Sequence, residues 1–168
     1  GLISKKLLQY SVIGLGFGMN LFESLKAGSE GMLFTILSVS LTMALGMLFG
    51  FLLKVPKTTS YLLSSGTAIC GGSAIAAIAP VTSAKQSEIT VALGTIFILN
   101  AIALFIFPPI GKLLELTEQQ FGYFAAIAIH DTSSVVGAAS IYGNSALEIA
   151  TLVKLTRALW IIPLVLLT

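Results

Sequence analysis

"AIHDTSSVVGAAS", Ala128–Ser140, is the stretch on which the reading of this chain turns. It holds the single histidine of the sequence with an aspartate beside it, between the apolar runs Phe121–Ile129 and Val135–Ile141. An imidazole and a carboxylate in the middle of such a run are poor material for a lipid-facing helix. Backbone leaves the helix at membrane depth only where protein or a water-filled cavity supplies hydrogen-bond partners. "HDTSS" before an apolar run also reads as a helix start, because Asp, Thr and Ser are good N-caps. The stretch is expected to be a break between two shorter helices, one wall of a polar site.

The rest of the chain has a membrane composition. Of 168 residues, 56% are hydrophobic and 10% charged, with a mean hydropathy of +1.00. A soluble domain is charged at about a quarter of its positions, so an integral membrane protein is expected. The net charge of +2 is too small and too dispersed for a nucleic-acid partner. Cys70 stands alone, which leaves no internal disulfide and no clustered ligands for a metal. No cleavable signal peptide is visible. The sequence opens on Gly1 and ends inside the apolar run "LWIIPLVLLT", so a piece of a longer chain is expected.

A hydrocarbon core about 30 Å thick needs about 20 apolar residues in a helix. Segments 7–22, 32–53, 61–81, 89–110, 121–142 and 147–168 approach that length, the fourth ending at "FPPIGK". If all six cross, Lys5, Lys6, Lys54, Lys57 and Lys112 fall on one side and Lys26 and Lys85 on the other, which places the N-terminus of this stretch in the cytoplasm. The third and fifth segments differ from the others, being rich in Gly, Ala, Ser and Thr around Gly71-Gly72 and His130–Ser134. Paired interruptions at corresponding positions point to a transporter's binding site. Sliding the chain on itself by 60 residues brings eight identities in 36 ungapped positions, among them Ala68 on Ala128, Ile69 on Ile129 and Ser73 on Ser133.

The last segment carries Glu148, Thr151, Lys154 and Arg157 at steps of three, a polar stripe on an apolar helix. A cation near the bilayer centre costs at least about 2.5–3.5 kcal/mol, so both cations are expected to face the protein interior. They can bind or gate an anion, form a structural ion pair with Asp131 or Glu148, or snorkel to an interface. His130 and Asp131 can cap a broken helix, handle protons, or do both. In "ICGGSA", Ile69–Ala74, the glycines permit close backbone approach, and N–H groups at a helix start can hold an anion, although tight packing explains small residues equally well. Gly46 and Gly50 are assigned to helix packing. "GLGFG", Gly14–Gly18, has no βαβ context and is not a nucleotide loop. Asn100 can line the cavity or hydrogen-bond across helices. Ser73 and Ser133 lack a GxSxG setting and no HExxH occurs, so no enzyme activity, catalytic residue or metal site is expected.

Taken in order, "LLQYSVIGLGFGMNLF", "SSGTAICGGSAIAAIAPVTSAKQSEITVALGTIFI", "AIAIHDTSSVVGAAS" and "ATLVKLTRALWIIPLVLL" resemble the YeiH-like family of bacterial inner-membrane proteins, labelled sulfate exporters. The resemblance covers essentially the whole chain. It rests on Ile69-Cys70-Gly71, on His130 followed by an acidic residue, and on the basic pair Lys154 and Arg157. It implies a full-length protein about twice as long, with around ten transmembrane helices and a kinship at fold level with crossover-helix transporters.

The expected protein is thus all-α and membrane-embedded, the core of a secondary transporter with two discontinuous helices, acting on a small oxyanion such as sulfate and coupled to protons or another ion. Cys70, Gly71, Gly72, Ser73, Thr132, Ser133, Lys154 and Arg157 would bind the substrate, and His130 and Asp131 would carry the coupling. The expected partners are that anion, the lipid bilayer and, as an open option, further copies in a homo-oligomer. No cofactor is expected. Two alternatives stand beside this reading: a cation/proton antiporter using Asp131 with Lys154 as counter-charge, and a membrane subunit that transports nothing.

Overall fold

The computed structural model of the protein describes residues 21–168, with side-chain surroundings from residue 35 onward. The first expected segment, 7–22, lies outside the described residues except for its last two. The chain divides into the compact units Gly1–Thr35 and Ile36–Thr168, and the elements from Ile36 onward belong to the second. Among the described residues all regular structure is helical. Among the described residues three stretches are long and apolar enough to cross a bilayer: Thr35–Leu52, Gln86–Leu113 and Asn144–Leu167.

Helix α1, Leu21–Leu52, carries no charge in its apolar part and meets helix α2, Lys57–Ala68, through small residues. A Cβ on Gly46 or Gly50 would run into Ser64 or Ser60, and the Ser60 hydroxyl donates to the Gly46 carbonyl at 3.4 Å. The GxxxG pair is a packing device, as its spacing implied.

Tyr61–Val81 is not one helix. Helix α2 ends at Ala68 and α3, Gly72–Ile78, starts after a turn in which Gly71 has φ 68°. Phe121–Tyr142 is divided in the same way, into α5, Glu118–Ala128, and α6, Thr132–Tyr142. The 60-residue offset maps the last residue of α2 onto the last of α5, and the first of α3 onto the first of α6. The weak sequence repeat therefore corresponds to a repeat of helix ends.

Between these pairs runs α4, Gln86–Leu113. Its inner stripe is Ala92, Ile96, Asn100 and Ala103, while Val91, Ile98, Ile102, Phe105 and Ile106 are exposed. Thr90 and Thr95 close their hydroxyls onto the carbonyls of Gln86 and Val91, which satisfies these two side chains within the helix. The expected stop at "FPPIGK" is corrected: the helix runs through Pro108 and Pro109 to Leu113. Each proline forgoes its own N–H bond to the carbonyl four residues earlier, yet the helical backbone continues, and the chain turns away only at Glu115, whose φ is 52°.

The sixth expected segment is likewise two helices, α7, Asn144–Ala158, and α8, Ile161–Leu167. Both α5 and α6 pack on α7, and α6 also packs on α4. That core is built largely from Ala125, Ala126, Ala138, Ala139, Ala146 and Ala150 around Phe121, Ile129 and Val135. Alanines let the backbones approach closely, and this brings the polar stripe of α7 against the ends of both interrupted helices.

Candidate functional site

The two breaks touch. A Cβ on Gly71 would lie 3.4 Å from the His130 carbonyl oxygen and 3.5 Å from Asp131 Cα, with Ile96 of α4 at 3.2 Å. The backbone at Gly71, with φ 68° and ψ −123°, is one that residues with a side chain rarely adopt. Glycine is needed there twice over, for the turn and for the approach of the second break.

Each break ends a helix whose last carbonyls have no partner in the helix itself. Both ends are held by cations from α7. Arg157 Nη2 donates to the Ala68 carbonyl at 2.7 Å, and Lys154 Nζ donates to the carbonyls of Ile129 at 2.9 Å and Ala126 at 3.5 Å. Lys154 is 1% exposed and Arg157 3%, so neither snorkels. Among the described residues no carboxylate lies within ion-pair distance of either cation, and Glu148, on the same stripe, is exposed. The alternative of an ion pair with Asp131 or Glu148 gives way to bonds to backbone. The reason is the helix dipole: a carbonyl-rich C-terminus carries partial negative charge, and a cation there both compensates it and satisfies orphan acceptors.

Asp131 is turned to a different task. Its carboxylate caps α6, accepting from the Ser134 amide at 3.1 Å and from the hydroxyls of Ser133 and Ser134. The N-terminus of α6 is thus already covered by an acid. At the first break Gly71 N–H is spent on the Gly66 carbonyl at 2.7 Å, and α3 has seven residues. An acid therefore occupies the start of α6, and the Gly71 N–H is engaged by the chain itself.

Cys70 is buried and its Sγ lies 2.9 Å from Ser73 Oγ, which donates to the Cys70 carbonyl at 3.2 Å. These two residues tie the first break together. Gly72 packs beneath Phe97 and Leu93 of α4. Thr132 is half-buried and opens α6, while Ser133 is exposed. The His130 backbone N–H donates to Asn100 Oδ1 at 2.9 Å.

Four buried side-chain atoms near the two breaks have no hydrogen-bond partner among the described residues: Arg157 Nε and Nη1, Asn100 Nδ2 and His130 Nδ1. Buried polar groups are nearly always paired, so each of these atoms calls for a partner beyond the described residues. Side-chain motifs alone could not reveal the carbonyls of Ala68 and Ile129 as partners of the cations. The signal for them was the offset of 60, which aligns the two helix ends that the cations reach.

The chain matches the family model described as conserved hypothetical protein 698 over residues 1–168. It is 68% identical over 162 residues to a UPF0324 membrane protein of Bacteroides thetaiotaomicron, covering 96% of this chain and 49% of that protein. A UPF0324 membrane protein of Porphyromonas gingivalis is 65% identical over 97% of this chain and 50% of its own length, and one of Shewanella oneidensis 54% identical over 98% and 52%. The chain spans about half the length of these curated relatives. No solved structure matches. The resemblance drawn from its motifs holds: the chain belongs to the conserved hypothetical protein 698 family, whose relatives named here are membrane proteins.

Proposed function

We propose that this chain is part of a secondary transporter for a small oxyanion, sulfate being the first to test, with its site where the two interrupted helices meet. In this reading all six expected segments cross the bacterial inner membrane from a cytoplasmic N-terminus, the two interrupted pairs serving as crossover helices. The observation that carries the proposal is Arg157. Its guanidinium is 3% exposed, spends Nη2 on the end of α2, and keeps Nε and Nη1 unpartnered. A planar fork of N–H groups matches the oxygens of an oxyanion bidentately. Lys154 adds a second positive charge from one turn away on α7.

The breaks supply the remaining walls. Gly71 and Gly72 allow close backbone approach, Cys70 and Ser73 fix the first turn, and Thr132 and Ser133 border the second. His130 would carry the coupling proton at the half-buried end of the second break, with Asp131 holding the start of α6 in place. No catalytic step is proposed. A cation/proton antiporter built on Asp131 finds less support, because that carboxylate is engaged by Ser133 and Ser134 and stays out of ion-pair reach of Lys154.

The test uses the full-length parent in proteoliposomes, with labelled sulfate and an imposed pH gradient, comparing wild type with Arg157→Gln. Gradient-dependent uptake that the substitution abolishes while the protein remains folded is the expected result. Equal flux in both removes the guanidinium from the mechanism. Absence of flux for sulfate, phosphate and other oxyanions alike, in wild type, favours a subunit that transports nothing.

A further inference from the structure

We propose that Asn100 is a ligand-binding residue of this same site, donating through Nδ2 to the oxyanion that Arg157 grips. The inference rests on the oxyanion reading above and adds a residue and a reason for its selectivity. Asn100 lies at the middle of the inner stripe of α4 and is 3% exposed. One turn earlier on the same stripe, Ile96 abuts Gly71 of the first break. Asn100 itself meets the second break at the His130 N–H. It therefore stands where α4 passes both interruptions.

The orientation of its amide follows from chemistry. A backbone N–H can only donate, so the atom facing His130 must be the carbonyl oxygen, and the other end must be NH2. That end is buried and has no partner among the described residues. Arg157 Nε and Nη1 are in the same condition, and they too can only donate. Three of the four unpartnered nitrogens can only donate, and His130 Nδ1 donates in its Nδ1–H tautomer, so the set suits a ligand made of acceptors. A tetrahedral oxyanion fits that description, whereas a metal cation or a protonated amine does not. Asn100 also ties the ligand to the backbone at the second break, since its other end holds the His130 amide.

The opposing possibility is that Asn100 only pins His130. Asn100→Asp separates the two roles, because it keeps an oxygen for the His130 N–H and replaces the free donor with an acceptor. In proteoliposomes of the full-length parent, with inorganic sulfate as the probe, we expect this variant to raise KM by about tenfold or more, the scale of one lost hydrogen bond to a charged ligand. A buried carboxylate also lowers the melting temperature, so the KM is compared on protein that remains folded. Asn100→Leu supplies a second readout: sulfate should raise the melting temperature of wild type and leave that of this variant unchanged, whatever its basal stability. If wild type takes up sulfate saturably and both variants keep its KM and its sulfate-induced shift, Asn100 is structural and this inference falls while the transport reading stands. If wild type shows neither saturable uptake nor a shift with sulfate or phosphate, the oxyanion reading falls and takes this inference with it.

Discussion

The two interrupted helices solve one problem by two kinds of chemistry. At Ala68–Gly72 the chain turns on a glycine with positive φ, without a side-chain cap, and the helix end is held by Arg157. At Ala128–Thr132 the chain stays extended at Ile129 and Asp131, a carboxylate caps the next helix, and the helix end is held by Lys154. The first break relies on conformational permissiveness, the second on side-chain hydrogen bonds. The cations differ in the same sense. Lys154 directs its ammonium at two carbonyls of one helix end, whereas Arg157 satisfies its helix end with one nitrogen and has two more to offer. Equivalent helix ends in a repeat are thus held by different cations, one spending its ammonium on two carbonyls and the other a single nitrogen of its guanidinium.

That contrast can be broken most severely at Lys154. Lys154→Met leaves buried carbonyls without a donor, and we expect a loss of about 3 kcal/mol in unfolding of the full-length parent in mixed micelles. Next comes Gly71→Ala, which forces a side chain into a disfavoured backbone region and against Ile96 and the His130 carbonyl. A loss of about 2 kcal/mol is expected in the same assay. Asp131→Ala removes a cap from a helix of 11 residues and should cost about 1 kcal/mol. A larger cost at Asp131 than at Gly71 would reverse the comparison. Asp131→Asn should be nearly silent, within about 0.5 kcal/mol, because Asn caps as well as Asp. Its sulfate flux should also persist; loss of flux from this folded variant would restore Asp131 as an ion-binding carboxylate.

Much of this arrangement was legible in the residues. The apolar segments gave the helices, and the polar interruptions at Gly71-Gly72 and His130–Ser134 located both breaks, because polar and glycine-rich backbone disfavours a continuous lipid-facing helix. Lys154 and Arg157 announced an interior face through the cost of burying charge. What the residues did not reveal was where the cations point. The sequence offered carboxylates at Asp131 and Glu148 as partners, since side chains are visible in a sequence and orphan carbonyls are not. Only a folded chain shows that Ala68 and Ile129 present bare acceptors to α7. Asn100 stayed ambiguous for a related reason: an amide can bridge helices or bind a ligand, and its bond to the His130 N–H was needed to expose the free donor. The Pro108-Pro109 pair misled as a stop signal because a proline costs a helix its own N–H bond without ending the helical backbone that follows it.

The account stands or falls on the unpartnered edge of Arg157. The measurement we would place first is the anomalous scattering of selenate, a heavier analogue of sulfate, in crystals of the full-length protein. The account predicts a selenium peak within hydrogen-bonding distance of Arg157 Nε or Nη1, with Asn100 Nδ2 among its neighbours. A guanidinium edge bonded instead to protein groups from the remainder of the full-length chain, with selenate confined to surface lysines, would contradict it.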